Sequence, residues 1–548
     1  MRSNLTTASV WRGISLGISA LVLLPVAALL WQATGQPSEL LTDNLALYLR
    51  NTLLLLAGVG AVVISIGVIC GWLIANCSFP LSRLLGWGLL LPLAMPGYIA
   101  AYVYTDLLDY AGPVQSVVRE LGDFSGPDDY FFPAIRSLGG AIVVLGLVLY
   151  PYVYLLLRAA FAEQSRDMYQ AARLLGMSHW RVALRVHLPL ARPALITGAA
   201  LAMLEAVGDF GTVDYFAVAT LLTGSYDLWL SLADLPGAAR LALLLTTTAM
   251  LVLGLERYSR RRRRYYSSAT MPLPKTHLTG WRGWLATLAC ICPLLFGFVL
   301  PVAVLGVYAV EYFSASIKQD YLPLLANSLK LAGFTMLLTL VLGLLVVYAQ
   351  RVRDGKKSTG VMQYTRVICS LGYATPGAVL AIGVLFPFAA FDHTLADLLA
   401  DNLGMDVGLL LTGSLGALVL ALAIRFLAIS SGALEANLAG LSPRMDMAAR
   451  TLGHSQLAVF ARFHLPLLQS GIISAGLIVF VDAMKELPAT LILRPFNFDT
   501  LATQVYFFAG DEQIELAALG CLSIVVPSAI AMLLVHRVEY RRRLEKHS

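Results

Sequence analysis

MYQAARLLGMSHWRVALRVHLPLARP, from Met168 to Pro193, and MDMAARTLGHSQLAVFARFHLPLLQS, from Met445 to Ser470, are two copies of one pattern. Met168 matches Met445, Ala171-Ala172-Arg173 matches Ala448-Ala449-Arg450, and Leu175-Gly176 matches Leu452-Gly453. Arg185 then matches Arg462, and His187-Leu188-Pro189-Leu190 matches His464-Leu465-Pro466-Leu467. Every pair is 277 residues apart, close to half of the 548-residue chain, so the whole unit is duplicated. Each copy predicts a short helix ended by a C′ glycine, Gly176 or Gly453. In the first copy Ser178 is a credible N-cap for a second short helix, and Pro189 then begins or kinks an apolar run. Ala171 and Ala172 leave a low ridge and Leu174 and Leu175 add apolar area, so a duplicated surface of this form suits a duplicated partner.

Working outward, the chain is 58% hydrophobic and 13% charged. Soluble domains carry about 25% charged residues. An ordinary soluble enzyme and a disordered chain are excluded, as is a porin-type barrel with its weak alternating signal. Twelve apolar runs are long enough to span a membrane. They lie near 13–33, 51–76, 84–108, 137–160, 190–209 and 238–256, then 284–312, 325–349, 364–390, 408–431, 467–484 and 516–536. The first is too long for a cleaved signal and is expected to be retained.

Bases mark the cytoplasmic side. Arg2, Arg12, Arg83, Arg158, Arg166, Arg181, Arg192, Arg257, Arg351, Arg425, Arg444 and Arg537 all read as lying there, with the run Arg260 to Arg264 in the linker. Asp106, Asp109, Glu120, Asp123, Asp128, Asp129, Asp214, Asp227, Asp234, Asp392, Asp397, Asp401 and Asp406 read as outer. Twelve spans then put both termini in the cytoplasm. The basic run suits a topology anchor at an anionic bilayer better than a nucleic-acid patch, and no nucleic-acid partner is expected. The six cysteines have no metal or redox spacing.

Two weaker echoes, Asn51-Thr52-Leu53 with Asn327-Ser328-Leu329 and Pro96-Gly97 with Pro376-Gly377, support the duplication. The expected architecture is an all-α polytopic membrane protein. Residues 1–256 form a first six-helix domain with its loop at 163–190. Residues 257–283 form a basic cytoplasmic linker, and 284–548 form a second domain with its loop at 440–467. The halves pair about a pseudo-twofold axis along the membrane normal.

The AAR-x-L-G and H-L-P-L pattern between spans resembles the EAA loop of bacterial ABC importer permeases. Gln170 and Met447 stand where that family often has Glu. The resemblance implies type I transmembrane domains and a coupling helix that rests on an ATPase subunit. It assigns coupling to Ala171, Ala172, Arg173, Leu175 and Gly176, and to Ala448, Ala449, Arg450, Leu452 and Gly453. Two ATPase subunits, with ATP and magnesium bound on them, are implied as partners. This chain has no P-loop, since Gly355-Lys356-Lys357-Ser358 lacks the first glycine and the Ser/Thr in register. No catalytic residue and no cofactor of its own are expected, and the chain reads as a transport subunit of the inner membrane.

VDAMKELPATLILRPFNFDTLA from Val481 and LEAVGDFGTVDYFAVATLLTGSYDLWL from Leu204 resemble the permeases of bacterial ferric-iron importers, across essentially the whole chain. A periplasmic iron-binding protein is thereby implied as a partner. Relatives for thiamine or phosphonate keep the cargo open, and an ion-coupled secondary transporter is the reading from another class. At the 277 offset Glu205 aligns with Asp482 and Asp209 with Glu486. Each pair is spaced i, i+4 on one helical face, near the outer end of its span. Four carboxylates suit passing contact with a hard trivalent cation, with Tyr98, Tyr102 and Tyr215 as further oxygen donors and no stable metal site. The competing reading pairs Asp482 or Glu486 with Lys485 or Arg494. His187 and His464 read as loop-carbonyl partners, not ligands.

Overall fold

The structure is a computed structural model, and it describes residues 2–37, 39–164, 166–261, 275–318, 320–351, 361–405, 408–439 and 441–545. Most of Arg260 to Arg264 and the whole of Gly355 to Ser358 lie outside that set. Among the described residues, nine helices are long and apolar enough to cross a membrane, and three bent helix pairs bring the total to twelve. The long helices of the first half are Arg2–Gln32, Glu39–Asn76, Leu138–Ala162 and Leu235–Arg261, with Arg192–Gly208 bent against its lead-in. Those of the second are Trp281–Leu294 with its continuation to Glu311, Tyr321–Arg351, Gly377–Leu403, Leu415–Ala439 and Ile514–Glu545, with Gln469–Met484 bent in the same way. The helix before the linker runs past Glu256 to Arg261, and the next begins at Trp281.

The repeated H-L-P-L motif has a structural cause. Pro189 has no N–H, and its ring would clash with the carbonyl four residues back. The chain answers with a π-turn over Ala183–His187, and Leu188 N donates to Ala183 O. Pro466 follows the π-turn Phe460–His464, and Pro301 follows Leu295–Val299, in the same register. Past the proline the chain bends by 67° before Arg192–Gly208 and by 63° before Gln469–Met484.

The Asn-Thr-Leu echo also acquires a role. Asn51 Nδ2 donates to Ala219 O at 2.9 Å, and Asn327 Nδ2 to Asp499 O at 3.1 Å. Leu221 N donates to Thr52 Oγ1, and Leu501 N to Ser328 Oγ. Both acceptors lie beside capping boxes, Thr220 with Thr223 and Thr500 with Thr503. Each half thus ties its second span to the second short helix after its acid pair, Leu221–Leu230 or Leu501–Gly510.

Pro96 and Pro376 are extended and break the chain ahead of Gly97–Leu108 and Gly377–Leu403. The runs predicted at 84–108 and 364–390 are therefore each interrupted helices. The first span of each half packs on the opposite half. Arg2–Gln32 lies against Val361–Ala374 and Gly377–Leu403, and Trp281–Val299 lies against Glu39–Asn76 and Leu138–Ala162. A two-residue parallel pairing of Cys77–Ser78 with Thr276–His277 clips the end of the linker to the first half.

Candidate functional site: a charged chamber between the halves

Arg192–Gly208 and Gln469–Met484 both end in the interior, where the chain breaks and restarts at Phe210–Tyr215 and Pro488–Leu493. The four acids predicted from sequence meet at these breaks. Glu205, Asp209, Asp482 and Glu486 line one chamber of about 90 Å³ together with Gly97, Tyr98, Tyr152, Arg425 and Lys485. About 10–15 Å³ suffices for one water, so the chamber suits an ion with a few waters.

Each acid has a partner. Asp209 Oδ1 accepts from Thr212 N at 2.9 Å and caps Phe210–Tyr215. Glu205 Oε1 accepts from Tyr373 Oη at 2.5 Å. Asp482 pairs with Lys485 Nζ at 2.8 Å. Glu486 pairs with Arg425 Nη1 at 2.6 Å and also accepts from Ala489 N at 3.2 Å. The competing sequence reading thus holds for Lys485, whereas Arg494 pairs with Asp499. Among the described residues, no three His, Cys, Asp or Glu side chains converge as a metal cage.

Arg425 corrects the topology reading. It sits in the middle of Leu415–Ala439, and its side chain is buried. An ionisable residue inside a span faces the bundle interior or a wet cavity, so its isolation in an apolar run was the available signal. The acids likewise lie at interior breaks and not at exposed outer ends. Tyr98 lines the chamber, but Tyr102 and Tyr215 do not. Their rings pack edge to face, with centroids 4.5 Å apart, and Arg136 lies over Tyr215. The tyrosines missed from sequence are Tyr152, on Leu138–Ala162, and Tyr373, supplied across the interface by the other half.

The Pro-Gly pairs place backbone against this charge. A Cβ on Gly97 would collide with Asp209 Oδ2, and one on Gly377 with Arg425 Nη1 and Glu486 Oε1. A second, mainly apolar cavity of about 290 Å³ shares Leu93, Tyr152, Asp482 and Lys485 with the chamber. The Asp482–Lys485 pair stands at the neck between them.

The duplicated loops form Arg166–Leu174 and Pro443–Thr451. Gly176 (φ 79°) and Gly453 (φ 85°) adopt the left-handed conformation expected of helix-ending glycines. Of the small ridge, Ala171 and Ala448 face outward, while Ala172 and Ala449 are buried. Leu174, Leu175 and Leu452 are 88%, 82% and 77% exposed, the unpartnered apolar surface a docking role requires. Arg173 Nη1 donates to Met177 O and holds the turn. The side chain of Arg450 lies outside what is described. The two loops are anchored differently. Gln164 Nε2 donates to His187 O at 2.9 Å. In the second copy Asp446 takes Arg351 Nε at 2.9 Å and His464 Nε2 at 2.7 Å, so His464 is held by a carboxylate, not by a loop carbonyl. Burial raises the Asp446 pKa, but the hydrogen bonds from Arg351 and His464 outweigh it and hold the carboxyl below its usual range.

A duplicated bundle of spans, two exposed helix-glycine loops and a charged chamber between the halves define a membrane permease. Residues 64–265 match the family described as binding-protein-dependent transport system inner membrane component. The Fe(3+)-transport system permease protein FbpB 2 of Haemophilus influenzae is 24% identical over 518 residues, 92% of either chain. The molybdenum transport system permease protein ModB of Escherichia coli K12 is 31% identical over 193 residues, 34% of this chain and 81% of its own. A probable sulfate transport system permease protein, cysT of Chlorokybus atmophyticus, is 27% identical over 224 residues, 39% of this chain and 73% of its own. The chain belongs to the binding-protein-dependent transport system inner membrane components, the permeases of ABC importers.

Proposed function

We propose that this chain is the membrane-spanning subunit of an importer that moves ferric iron. The observation that carries the cargo is the charge of the chamber: four carboxylates against two cations, an excess of acid, at a break shared by both halves. A hard trivalent cation prefers oxygen ligands, and Glu205 and Asp209 face it with only neutral donors as partners. The Fe(3+) permease that is similar over 92% of either chain supports the same cargo.

In this reading a periplasmic binding protein delivers the cation to the acidic face. Two separate ATPase subunits carry ATP and magnesium and dock on Arg166–Leu174 and Pro443–Thr451, both termini lying on their side of the membrane. Closure of the ATPases shifts the halves between two states, and the difference in free energy comes from those partners. Asp482 and Lys485 line the neck through which the cation leaves the chamber.

A second reading, an oxyanion cargo, is favoured by Arg425 and Lys485 in the same chamber and by relatives named for molybdenum and sulfate. Both cations are engaged by acids, which sets it behind the first. Proteoliposomes holding the whole complex separate the two. Ferric-loaded binding protein is expected to stimulate ATP hydrolysis and accumulation of labelled iron. Stimulation by molybdate or sulfate alone transfers the assignment to the second reading, and uptake without any ATPase removes both.

A further inference from the structure

The two halves do not contribute equally to the chamber. Moving back 277 residues, Asp482 corresponds to Glu205 and Glu486 to Asp209, but Arg425 corresponds to Val148 and Lys485 to Gly208. All eight positions line the chamber. Both cations therefore come from the second half, where each sits on a second-half acid. The first-half acids have a tyrosine hydroxyl and a backbone N–H instead.

We propose that Arg425 is a resident counter-cation. It occupies the carboxylate that an incoming metal would otherwise hold, and it limits how tightly the chamber grips its cargo. The proposal rests on the cation reading above and adds a specific residue to it. Arg425 Nη1 reaches Glu486 across the space left by the missing side chain of Gly377, and Nη2 lies over Gly208 of the other half. The guanidinium stays charged at every physiological pH and satisfies a carboxylate with directional donors. Four bare carboxylates would hold a trivalent ion too well to release it, and conduction requires binding weak enough to leave. A tethered cation solves this without closing the path: metal gains the first-half pair, Glu205 and Asp209, while the guanidinium competes for the second-half acid and repels the ion it faces.

The test uses the full chain in detergent with Tb³⁺, a hard trivalent probe sensitised by the neighbouring Tyr98, Tyr152 and Tyr373. R425Q is expected to bind Tb³⁺ at least tenfold tighter than wild type, with R425K within about threefold of wild type. In the assembled complex R425Q should slow iron uptake at least tenfold, and R425K should restore it. A purely structural arginine would lose binding and uptake together. R425Q/E486Q removes both charges of the buried pair and covers the case in which R425Q fails to fold. It should still bind Tb³⁺ several-fold tighter than wild type, because Glu205 then faces no guanidinium. Unchanged or weaker Tb³⁺ binding in these glutamine variants, or R425K binding as tightly as R425Q, overturns the proposal. Tighter Tb³⁺ binding alongside a wild-type complex that moves no iron keeps Arg425 in this role and removes the ferric reading instead.

Discussion

At the break that follows Arg192–Gly208, the first half offers Glu205 and Asp209 to a hydroxyl and an amide. At the equivalent break the second half offers Asp482 and Glu486 to Lys485 and Arg425. The surrounding backbone is the same: a π-turn before Leu-Pro, a bend of 67° or 63°, a Pro-Gly break aimed at the acid, and a threonine capping box tied to the second span. The contrast teaches that the two copies share one scaffold and differ in the charge it carries: both cations stand in the second half. The coupling loops diverged too, with an amide-to-carbonyl anchor in one and an Arg–Asp–His anchor in the other.

The sharpest way to break this comparison is to remove one acid from each half. E486A strands Arg425 in a site where the pair is buried, and breaking a buried ion pair costs about 3–5 kcal/mol. E205A strands only a tyrosine hydroxyl, at about 1–2 kcal/mol, yet should reduce iron uptake more per unit of stability lost. Thermal unfolding in detergent, read beside uptake, checks both, and equal stability losses would erase the asymmetry. Next come G97A and G377A. Both methyls meet chamber atoms, so both variants should lose about 1–3 kcal/mol and alter uptake alike. A large difference between them would mean that the backbones are less equivalent than the bends suggest.

The loops give a smaller contrast. D446A should cost about 1–2 kcal/mol and Q164A about 1 kcal/mol, since the first loses charged hydrogen bonds and the second a neutral one. The Asp446 carboxyl is depressed in the folded state, so its contribution is full above its unfolded pKa of about 3.9 and is lost as pH falls further, through the folded value. Acid titration of wild type against D446A should show that loss in wild type alone. Smallest is R136A. Its pairs with Asp109 and Glu512 are exposed, and no more than about 1 kcal/mol should follow.

Much of this was legible in the sequence, because periodicity and repetition are local signals. The 277-residue offset located both loops, both glycine caps and the four acids. What the sequence hid was non-local. Arg425 counts with the cytoplasmic bases when the run is set at 408–431, which puts it within two turns of the run's end, whereas the helix Leu415–Ala439 centres it in the bundle. Tyr373 reaches Glu205 from the other half, a contact that no spacing encodes. Tyr102 and Tyr215 looked like donors by type, but they spend their rings on each other.

The crossing of the first spans has a consequence for biosynthesis. Ser19, near the start of the chain, shares a hydrogen bond with Thr365, 346 residues later. The N-terminal helix can dock first on Leu235–Arg261 of its own half, but its contacts with Val361–Ala374 and Gly377–Leu403 form only once most of the chain has been made, and the 281–299 helix packs against helices made earlier. Part of the first helix's packing thus closes across the linker, from one half of the chain to the other. Long-range closure of this kind is slow, so translation rate and insertion order are as much a part of this permease's folding as any single contact.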